Sequence, residues 1–213
     1  MHTQRLGSME DTQKTNWYVL KIFFNKTFDV EAYLDKSDIE SYLPIQKVLL
    51  KGLAHLLARK KLAQAPGHRD PRYLVEEPKI YLRKPLVSSL LFLHCTPVQL
   101  RDVAEYLREK DANGNIRGYI YKNTDREWAV VPDKEMASFR LVVEAGSRDL
   151  QFFADDDISR YATGDHVRVI EGPLKGTEGY IKRIRRDRKL LVVIEGIIAV
   201  ATSYIPPQNL EKI

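Results

Sequence analysis

The sequence predicts an α+β protein of two domains. The first is an α/β sandwich with helices packed on an antiparallel or mixed sheet, and the second is a small antiparallel β-barrel. In residues 16–145, apolar runs with strand character alternate with amphipathic segments that have helical spacing. In residues 159–213, short alternating segments are separated by glycine turns. An acidic, polar stretch at residues 146–158 lies between them and is expected to be a flexible linker.

Composition limits the class of protein. The chain has 213 residues and a net charge of +5, which is short of the strong excess expected of a free-standing DNA binder. The single cysteine, Cys95, excludes an internal disulfide framework and a cysteine metal cluster, and it suits a reducing cytoplasm. No apolar run is long enough to span a membrane, and no secretory signal is recognised. Residues 1–15 are polar and are expected to be a disordered tail.

The first elements are predicted to be strand, helix and strand. Residues 17–24 favour a strand because the run is short and rich in aromatic and β-branched side chains. Asn25 is expected to cap a helix that continues to about Lys36, since apolar residues recur four apart. Residues 39–51 are expected to be extended, and Pro44, which cannot donate a ladder hydrogen bond, indicates either an edge position or a break.

The next segment, residues 52–84, is predicted to be a basic arm. Ten basic residues between positions 47 and 84 face three acidic ones, and residues 53–63 have the character of a short helix. One interpretation is a solvated hairpin loop. The other is an arm that lies near nucleic-acid phosphates, where each neutralised phosphate releases counterions. On that second interpretation, the candidate nucleic-acid-binding residues are Arg59, Lys60, Lys61, Arg69 and Arg72.

A strand and a capped helix follow the arm. Residues 86–95 form an apolar run that predicts a buried strand. Thr96, Pro97 and Gln99 have the spacing of a capping box with proline at the first helical position. Asn113 and Gly114 then predict the end of the helix, because they favour a turn.

Two short strands and a last helix complete the predicted sandwich. Residues 117–122 alternate, which places Tyr119 and Tyr121 on one face. Residues 128–131 are expected to form another short strand. Pro132 is expected at the first position of the last helix, with Gly146 after its end. The apolar side of this helix is expected to contain Met136, Phe139 and Val143.

Residues 164–181 contain the pattern Gly-Asp-x-Val-x-Val-x-x-Gly-Pro-x-x-Gly-x-x-Gly. Val167 and Val169 alternate with polar residues, as in a half-buried strand. The run resembles a KOW motif, which is found in SH3-like barrels of transcription and ribosomal proteins. We interpret its characteristic residues as structural, because glycines suit tight turns and close backbone approaches. These residues are Gly164, Asp165, Gly172, Pro173, Gly176 and Gly179.

The rest of the barrel is predicted to hold two further strands and a basic hairpin. Residues 190–194 and 197–205 have strand character, and Glu195-Gly196 between them resembles a two-residue hairpin turn. The hairpin before them is either a solvated turn or a contact for RNA or a ribosomal partner. On the second interpretation, its candidate nucleic-acid-binding residues are Lys182, Arg183, Arg185, Arg186 and Arg188.

Three runs in the first domain resemble the NusG family. They are Trp17-Tyr18-Val19, residues 39–44 (IESYLP) and residues 130–133 (VVPD), and Glu31-Ala32 between the first two also matches. The run at residues 85–93, PLVSSLLFL, resembles the third strand of the same domain. Within the family, that run is most similar to the specialised UpxY-type antiterminators of polysaccharide operons. It departs from the general family, which has a Phe-Pro-Gly-Tyr-type run where this chain has residues 87–90, VSSL.

The resemblance implies an NGN-type domain that binds the clamp helices of the largest subunit of RNA polymerase through an apolar sheet patch. Carried onto matching positions, it indicates Lys21, Leu90 and Phe92 as polymerase contacts. Strand alternation adds Tyr119 and Tyr121 as candidates. The alternative for each aromatic residue is ordinary core packing. The basic arm would lie near the non-template DNA strand or nascent RNA.

No residue spacing supports a catalytic triad, a phosphate-binding loop or a metal site, so a non-enzyme without cofactor or metal is expected. We hypothesise a cytoplasmic, monomeric transcription elongation factor that suppresses pausing and termination. Its KOW domain is expected to bind a second partner, such as a ribosomal protein or another factor. The alternative is an RNA- or ribosome-binding KOW protein that makes no contact with polymerase.

Overall fold

The computed structural model describes residues 13–64, 70–145, 150–154, 164–184 and 187–213. Its N-terminal half combines helices with strands in an order close to that predicted. In chain order, the elements are β1 (Asn16–Ile22), α1 (Thr27–Lys36), β2 (Glu40–Tyr42), β3 (Ile45–Leu49), α2 (Gly52–Ala63), β4 (Tyr73–Glu76), β5 (Lys79–Pro85), β6 (Leu90–Cys95), α3 (Pro97–Ala112), β7 (Gly118–Ile120) and α4 (Asp133–Glu144).

The central sheet of this half is antiparallel, with strand order β2-β6-β1-β7. Side chains of β1 point alternately to its two faces, which is why the run is apolar almost throughout. Tyr18, Leu20 and Ile22 point to one face and pack with residues of α1 and α3, such as Leu34 and Leu100. This face therefore forms a core beneath two helices.

The opposite face of the sheet packs against α4. Trp17 and Val19 of β1 belong to the same buried cluster as Met136 and Phe139 of α4. This packing confirms that the predicted apolar side of α4 faces the sheet. The four-stranded sheet is covered on both faces, as an α/β sandwich requires.

The basic arm is an ordered substructure in its described part. Strands β3, β5 and β4 form a separate antiparallel sheet in that order, and α2 connects β3 to β4. Pro44 lies between β2 and β3, which belong to different sheets, so the predicted break is confirmed. The predicted short helix at residues 53–63 is confirmed as α2.

The C-terminal half is rich in strands. A six-stranded antiparallel sheet has the order β13-β9-β10-β11-β12-β8, in keeping with the predicted small β domain. A 3₁₀ turn at Pro207–Asn209 precedes the last strand. The strands are β8 (Gln151–Ala154), β9 (Asp165–Val169), β10 (Glu178–Ile184), β11 (Asp187–Ile194), β12 (Ile198–Tyr204) and β13 (Leu210–Lys212).

Gly179 shows why the KOW-like motif requires a glycine within a strand. A Cβ atom at this position would collide with the backbone carbonyl oxygen of Leu191 on the neighbouring strand. Gly172 has a different reason, because its φ of 88° lies where L side chains are strained. Both observations agree with the structural interpretation of the motif.

Several element boundaries differ from the predictions. Asn25 does not cap α1: the cap is Lys26, which makes no side-chain hydrogen bond, while Asn25 adopts a φ of 57° and turns the chain. Residues 86–89 form a turn, so β6 begins only at Leu90. Residues 128–131 make isolated bridges instead of a strand, and Pro132 is the cap of α4 and not its first residue.

The predicted linker contains regular structure. Residues 151–154 form β8 and pair with β12, where Phe153 lies opposite Ala199 and Phe152 opposite Val200. In the sequence, Phe152 and Phe153 are the apolar exception in this acidic segment and were interpreted as simple linker packing, so the strand was not predicted. Gly146, residues 147–149 and residues 155–158 lie outside the described residues, as do residues 1–12 of the predicted tail.

Two further findings concern sites and membranes. Among the described residues, no group of three or more His, Cys, Asp or Glu side chains is placed to hold a metal ion. In the same part of the chain, no helix combines the length and apolar character needed to cross a membrane.

The start of α3 provides a test of the fold. The Thr96 side chain accepts a hydrogen bond from the Gln99 backbone N–H, and the Gln99 side chain accepts one from the Thr96 backbone N–H. Thr96→Ala is expected to lower the free energy of unfolding by about 1 kcal/mol, as measured by urea denaturation. Thr96→Ser keeps the acceptor and should lose much less. Equal losses in both variants would contradict a capping role.

Candidate functional site

The five residues predicted to contact polymerase lie on one face of the central sheet. Lys21 is directly opposite Leu90 on one side and Tyr119 on the other. Phe92 is opposite Val19, and the backbone N–H of Tyr121 donates to the carbonyl of Val19. Directly opposed residues share a face, so these side chains all belong to the face that packs against α4.

Three of these five side chains are buried, which corrects the prediction of an open apolar patch. The exposed fractions of Leu90, Phe92 and Tyr121 are 3%, 0% and 8%. The physical reason for Phe92 is α4, whose Phe139 ring lies 5.3 Å from the Phe92 ring. Leu90 and Phe92 therefore belong to the hydrophobic core.

An exposed aromatic surface remains at the end of the same face. We name it the aromatic edge, and it consists of Phe23, Phe24 and Tyr119. The ring of Phe23 lies 6.3 Å from that of Phe24 and 6.1 Å from that of Tyr119. Phe24 is 77% exposed and Tyr119 is 45% exposed. Lys21, which lies opposite Tyr119, is half-buried beside this edge.

Sequence reasoning missed Phe23 and Phe24, because they ended a run that was assigned wholly to a strand. β1 stops at Ile22, and Phe24 adopts a φ of 58°. That left-handed conformation is costly for an aromatic residue and here directs the side chain away from the core. The doublet of phenylalanines directly before an asparagine is the signal that was available in the sequence.

α4 also packs against the C-terminal sheet. The Phe139 ring lies 6.5 Å from the ring of Phe152 in β8. The backbone N–H of Glu178 donates to the Ser138 hydroxyl over 3.2 Å. Apolar residues of both halves consequently form one buried cluster, which includes Leu90 and Tyr121 together with Val192 of β11.

The arm neutralises part of its own positive charge. Arg72 makes two hydrogen bonds to the Asp70 carboxylate, at 2.8 and 2.7 Å, and Lys61 approaches the same carboxylate at 3.1 Å. The hydrogen bond from Arg72 contributes most to holding the pKa of Asp70 far below its ordinary value. Arg59 and Lys60 are exposed on α2. Arg69 lies outside the described residues.

α2 carries an apolar stripe that the sequence reasoning also missed. Leu53, Leu56 and Leu57 have the spacing of one helix face, and their exposed fractions are 71%, 63% and 58%. Ala58 is the buried contact of this helix. The stripe was overlooked because the basic charge of the arm dominated its interpretation.

The basic hairpin of the C-terminal half is formed by β10 and β11. Arg183 and Arg188 are exposed, and Lys182 is half-buried. Arg185 and Arg186 lie outside the described residues. Among the motif residues, Asp165 accepts a hydrogen bond from Lys212 at 2.6 Å, which lowers the pKa of the Asp165 carboxyl.

The family profile described as "Transcription termination factor nusG" matches residues 15–140, which is more than half of the chain. The chain belongs to the NusG family. It is therefore a transcription factor of that family. The matched range contains the central sheet, the arm and most of α4. The NusG-like resemblance of the first domain is thus confirmed, while the KOW and UpxY assignments stay predictions.

Two other comparisons complete these findings. A solved structure titled "Domain interaction in Thermotoga maritima NusG" is similar to this chain, with 15% sequence identity and a TM-score of 0.41. The alignment covers 94% of this chain and 98% of that one. A search of curated proteins found no match.

The contact between α4 of the NusG-family domain and the C-terminal sheet places Glu135 beside the backbone of Glu195. The backbone N–H of Glu195, after β11, donates to Glu135 Oε2 at 3.4 Å. Burial raises the pKa of Glu135, the hydrogen bond from Glu195 opposes this rise, and the charge of the Glu195 carboxylate adds to it. The packed structure therefore holds the pKa of Glu135 above its ordinary value.

Glu135→Gln tests whether the ionised, partly buried carboxylate of Glu135 destabilises the folded chain. A carboxyl with a raised pKa in the folded state loses stability as pH rises from its unfolded pKa through its folded pKa. We expect Glu135→Gln to raise the thermal midpoint at pH 7, with a smaller gain at pH 4, because a raised pKa leaves less of the carboxylate ionised as the pH falls. Glu109→Gln, on the exposed side of α3, is the matched control and should gain nothing. A gain that does not shrink at low pH would contradict the mechanism.

Proposed function

We propose that this NusG-family chain is a cytoplasmic transcription elongation factor that binds RNA polymerase through the aromatic edge and the adjoining sheet face. Its partner would be the clamp helices of the largest subunit, and its effect would be processive elongation and antitermination. The observation that carries the proposal is that Phe24 and Tyr119 stay exposed on the face for which the family resemblance implies polymerase contact.

The chemistry of the aromatic edge supports a protein partner. Exposed aromatic groups that lie together are unfavourable in water, and large aromatic side chains dominate the energetics of interfaces. Lys21 beside them adds a cation that suits a partner with acidic groups. An apolar helical surface with acidic flanks would meet both requirements.

The packing of α4 supports a second element of the proposal. Leu90 and Tyr121 are buried in the cluster to which both halves contribute. Separation of the C-terminal sheet from α4 would remove part of that cluster and enlarge the apolar surface beside the aromatic edge. Polymerase that binds this enlarged surface would favour the separated state by its differential affinity.

The arm is proposed to lie near the non-template DNA strand, with Arg59 and Lys60 of α2 as its principal cations. Their side chains are exposed, whereas Lys61 and Arg72 already pair with Asp70. We also propose that the factor serves a restricted set of operons, of the polysaccharide type. That specialisation rests on the resemblance of residues 85–93 to the UpxY-type run.

The second candidate function is an RNA- or ribosome-binding KOW protein without polymerase contact. The basic hairpin of the C-terminal sheet favours it. Retention of purified core polymerase by the immobilised chain separates the two functions, because the second candidate predicts no retention.

Charge insertion at the aromatic edge tests polymerase binding. Phe24→Asp and Tyr119→Asp should each weaken binding of core polymerase by roughly 30-fold, about 2 kcal/mol, because an interface aromatic is lost. Read-through of a terminator in a purified transcription assay should fall accordingly. Val98→Asp is the matched control, since Val98 is 47% exposed on α3 and lies outside the edge. Wild-type binding by both edge variants would exclude this surface as the docking site.

Genome-wide location of the protein tests its specialisation. A factor for few operons should be cross-linked to polymerase on a small number of transcription units. A general factor would be found on most of them. Broad occupancy would therefore reject the operon-specific part of the proposal while leaving polymerase binding intact.

A further inference from the structure

The arm is joined to the rest of the N-terminal half at a narrow base. The chain leaves the central sheet after β2 and returns to it at β6, so two crossings connect the arm to that sheet. At the base, the backbone N–H of Leu86 donates to the carbonyl of Pro44 at 2.8 Å, and Ile45 is opposite Pro85. A base of two crossings can act as a hinge, so contacts farther along must fix the angle of the arm.

A cleft separates the outer part of the arm from the helices of the central sheet. It has a volume of about 1380 Å³. Ala32 of α1 and Tyr106 of α3 line one side, and Leu62 of α2 and Leu74 of β4 line the other. Because the cleft is open, packing across it contributes little to holding the arm in place.

One arginine of the arm forms an ion pair with α1 at the edge of this cleft. Arg83 of β5 donates from Nη1 and Nη2 to the two carboxylate oxygens of Glu31, at 2.8 and 2.6 Å. Two parallel hydrogen bonds fix the orientation of both groups more strongly than a single contact does. The two side chains are only 19% and 15% exposed, so water screens this pair less than a surface pair.

The same guanidinium group contacts two further groups. Nη1 of Arg83 also donates to the carbonyl of Pro71, in the segment that leads into β4, at 2.7 Å. Its Cζ atom lies 5.3 Å from the centre of the Phe28 ring in α1. A planar group with several donors can make all of these contacts at once, whereas a lysine cannot. Arg83 therefore connects α1 to two strands of the arm.

Other ion pairs of the arm act within it. Lys47 and Glu76 pair at 3.2 Å between two of its strands, and Asp70 pairs with cations of α2 and of the segment before β4. Such pairs stabilise the internal structure of the arm but do not fix its direction. The pair of Arg83 with Glu31 differs because it joins the arm to a helix outside it.

We propose that Arg83 and Glu31 are positioning residues that hold the arm at a fixed angle to α1. The pair would set where the exposed cations of α2 lie relative to the aromatic edge. Its value for function rests on the proposed function, in which the arm approaches DNA while the edge binds polymerase. A fixed angle lowers the ordering cost of making both contacts in one complex.

The experiment measures the angle of the arm in the full chain. Ala54→Cys on α2 and Glu109→Cys on α3 introduce two exposed labelling positions, while the native Cys95 is buried. Nitroxide labels at these positions report their separation by double electron–electron resonance. A chain without the introduced cysteines should take up no label.

Removing either partner should free the arm to adopt several angles. We expect Glu31→Ala and Arg83→Met each to broaden the distance distribution about twofold, because several arm angles become populated. Arg83→Lys keeps the charge but not the paired donors, so its distribution should be intermediate. Circular dichroism checks that each variant is folded. Glu31→Gln keeps the shape of the side chain and provides a milder test if Glu31→Ala fails to fold.

Glu76→Ala is the matched control. It makes the same substitution in an ion pair that lies inside the arm, and it should leave the distance distribution unchanged. Unchanged widths in Glu31→Ala and Arg83→Met would overturn the positioning role. Equal broadening in Glu76→Ala would overturn it as well, because loss of any ion pair would then have the same effect.

A second measurement links the angle to function. With a photoreactive group on Ala54→Cys, the chain is bound to polymerase on a DNA scaffold and cross-linked to the non-template strand. Glu31→Ala should lower the cross-linking yield about threefold while retention of polymerase stays at the wild-type level. A wild-type yield from a variant with broadened distances would overturn the link between arm angle and DNA contact.

Failure of the proposed function gives a different result. If the wild-type arm does not cross-link to DNA at all, its proposed DNA contact is refuted. Broadened distances in Glu31→Ala and Arg83→Met would still support the positioning role in that case, because the distances are measured on the chain alone.

Discussion

The packing of Phe139 between two aromatic residues is the interaction on which the arrangement of this chain depends. Its ring contacts Phe92 in the central sheet and Phe152 in the C-terminal sheet. α4 is therefore shared between the two sheets, because its apolar residues cover one face of the central sheet and also pack against the C-terminal sheet. If the proposed polymerase docking extends from the aromatic edge onto the sheet face beneath α4, it would use apolar surface that now holds the two halves together.

Much of the fold followed from local patterns. The aromatic and β-branched content of residues 17–24 predicted β1, and the spacing from Thr96 to Gln99 located the start of α3. Pro44 marked the transition between two sheets because its backbone cannot donate to a ladder. Such signals act within a few residues, which is why one sequence is enough to recognise them.

The candidate site was predicted less completely, because alternation gives the face of a side chain but not what covers it. The resemblance indicated Leu90 and Phe92 as contacts, yet both are buried by residues distant in sequence. The exposure of Phe24 depends on a left-handed backbone that no apolar pattern encodes. The register that sets Arg183 opposite Arg188 likewise depends on how two strands pair, not on the charge of either strand alone.

The two basic regions look alike in composition but differ in their surroundings. In the arm, Asp70 engages both Arg72 and Lys61, and Glu31 engages Arg83 through two hydrogen bonds of 2.8 and 2.6 Å. Much of the charge of the arm thus stabilises its own fold. In the hairpin, the cations face one another. The arm therefore neutralises part of its charge internally, whereas the register of the hairpin places Arg183 opposite Arg188.

The pairing of β8 with β12 sets how far the two halves can move apart. α4 ends at Glu144 and β8 begins at Gln151, so six residues connect them while β8 remains in its sheet. Fully extended, that connection spans about 25 Å. Release of β8 would lengthen the connection to the start of β9 at Asp165, with a maximum reach of about 70 Å. Pairing of this four-residue edge strand therefore limits how far the two halves can separate, and its release would lengthen the connection between them.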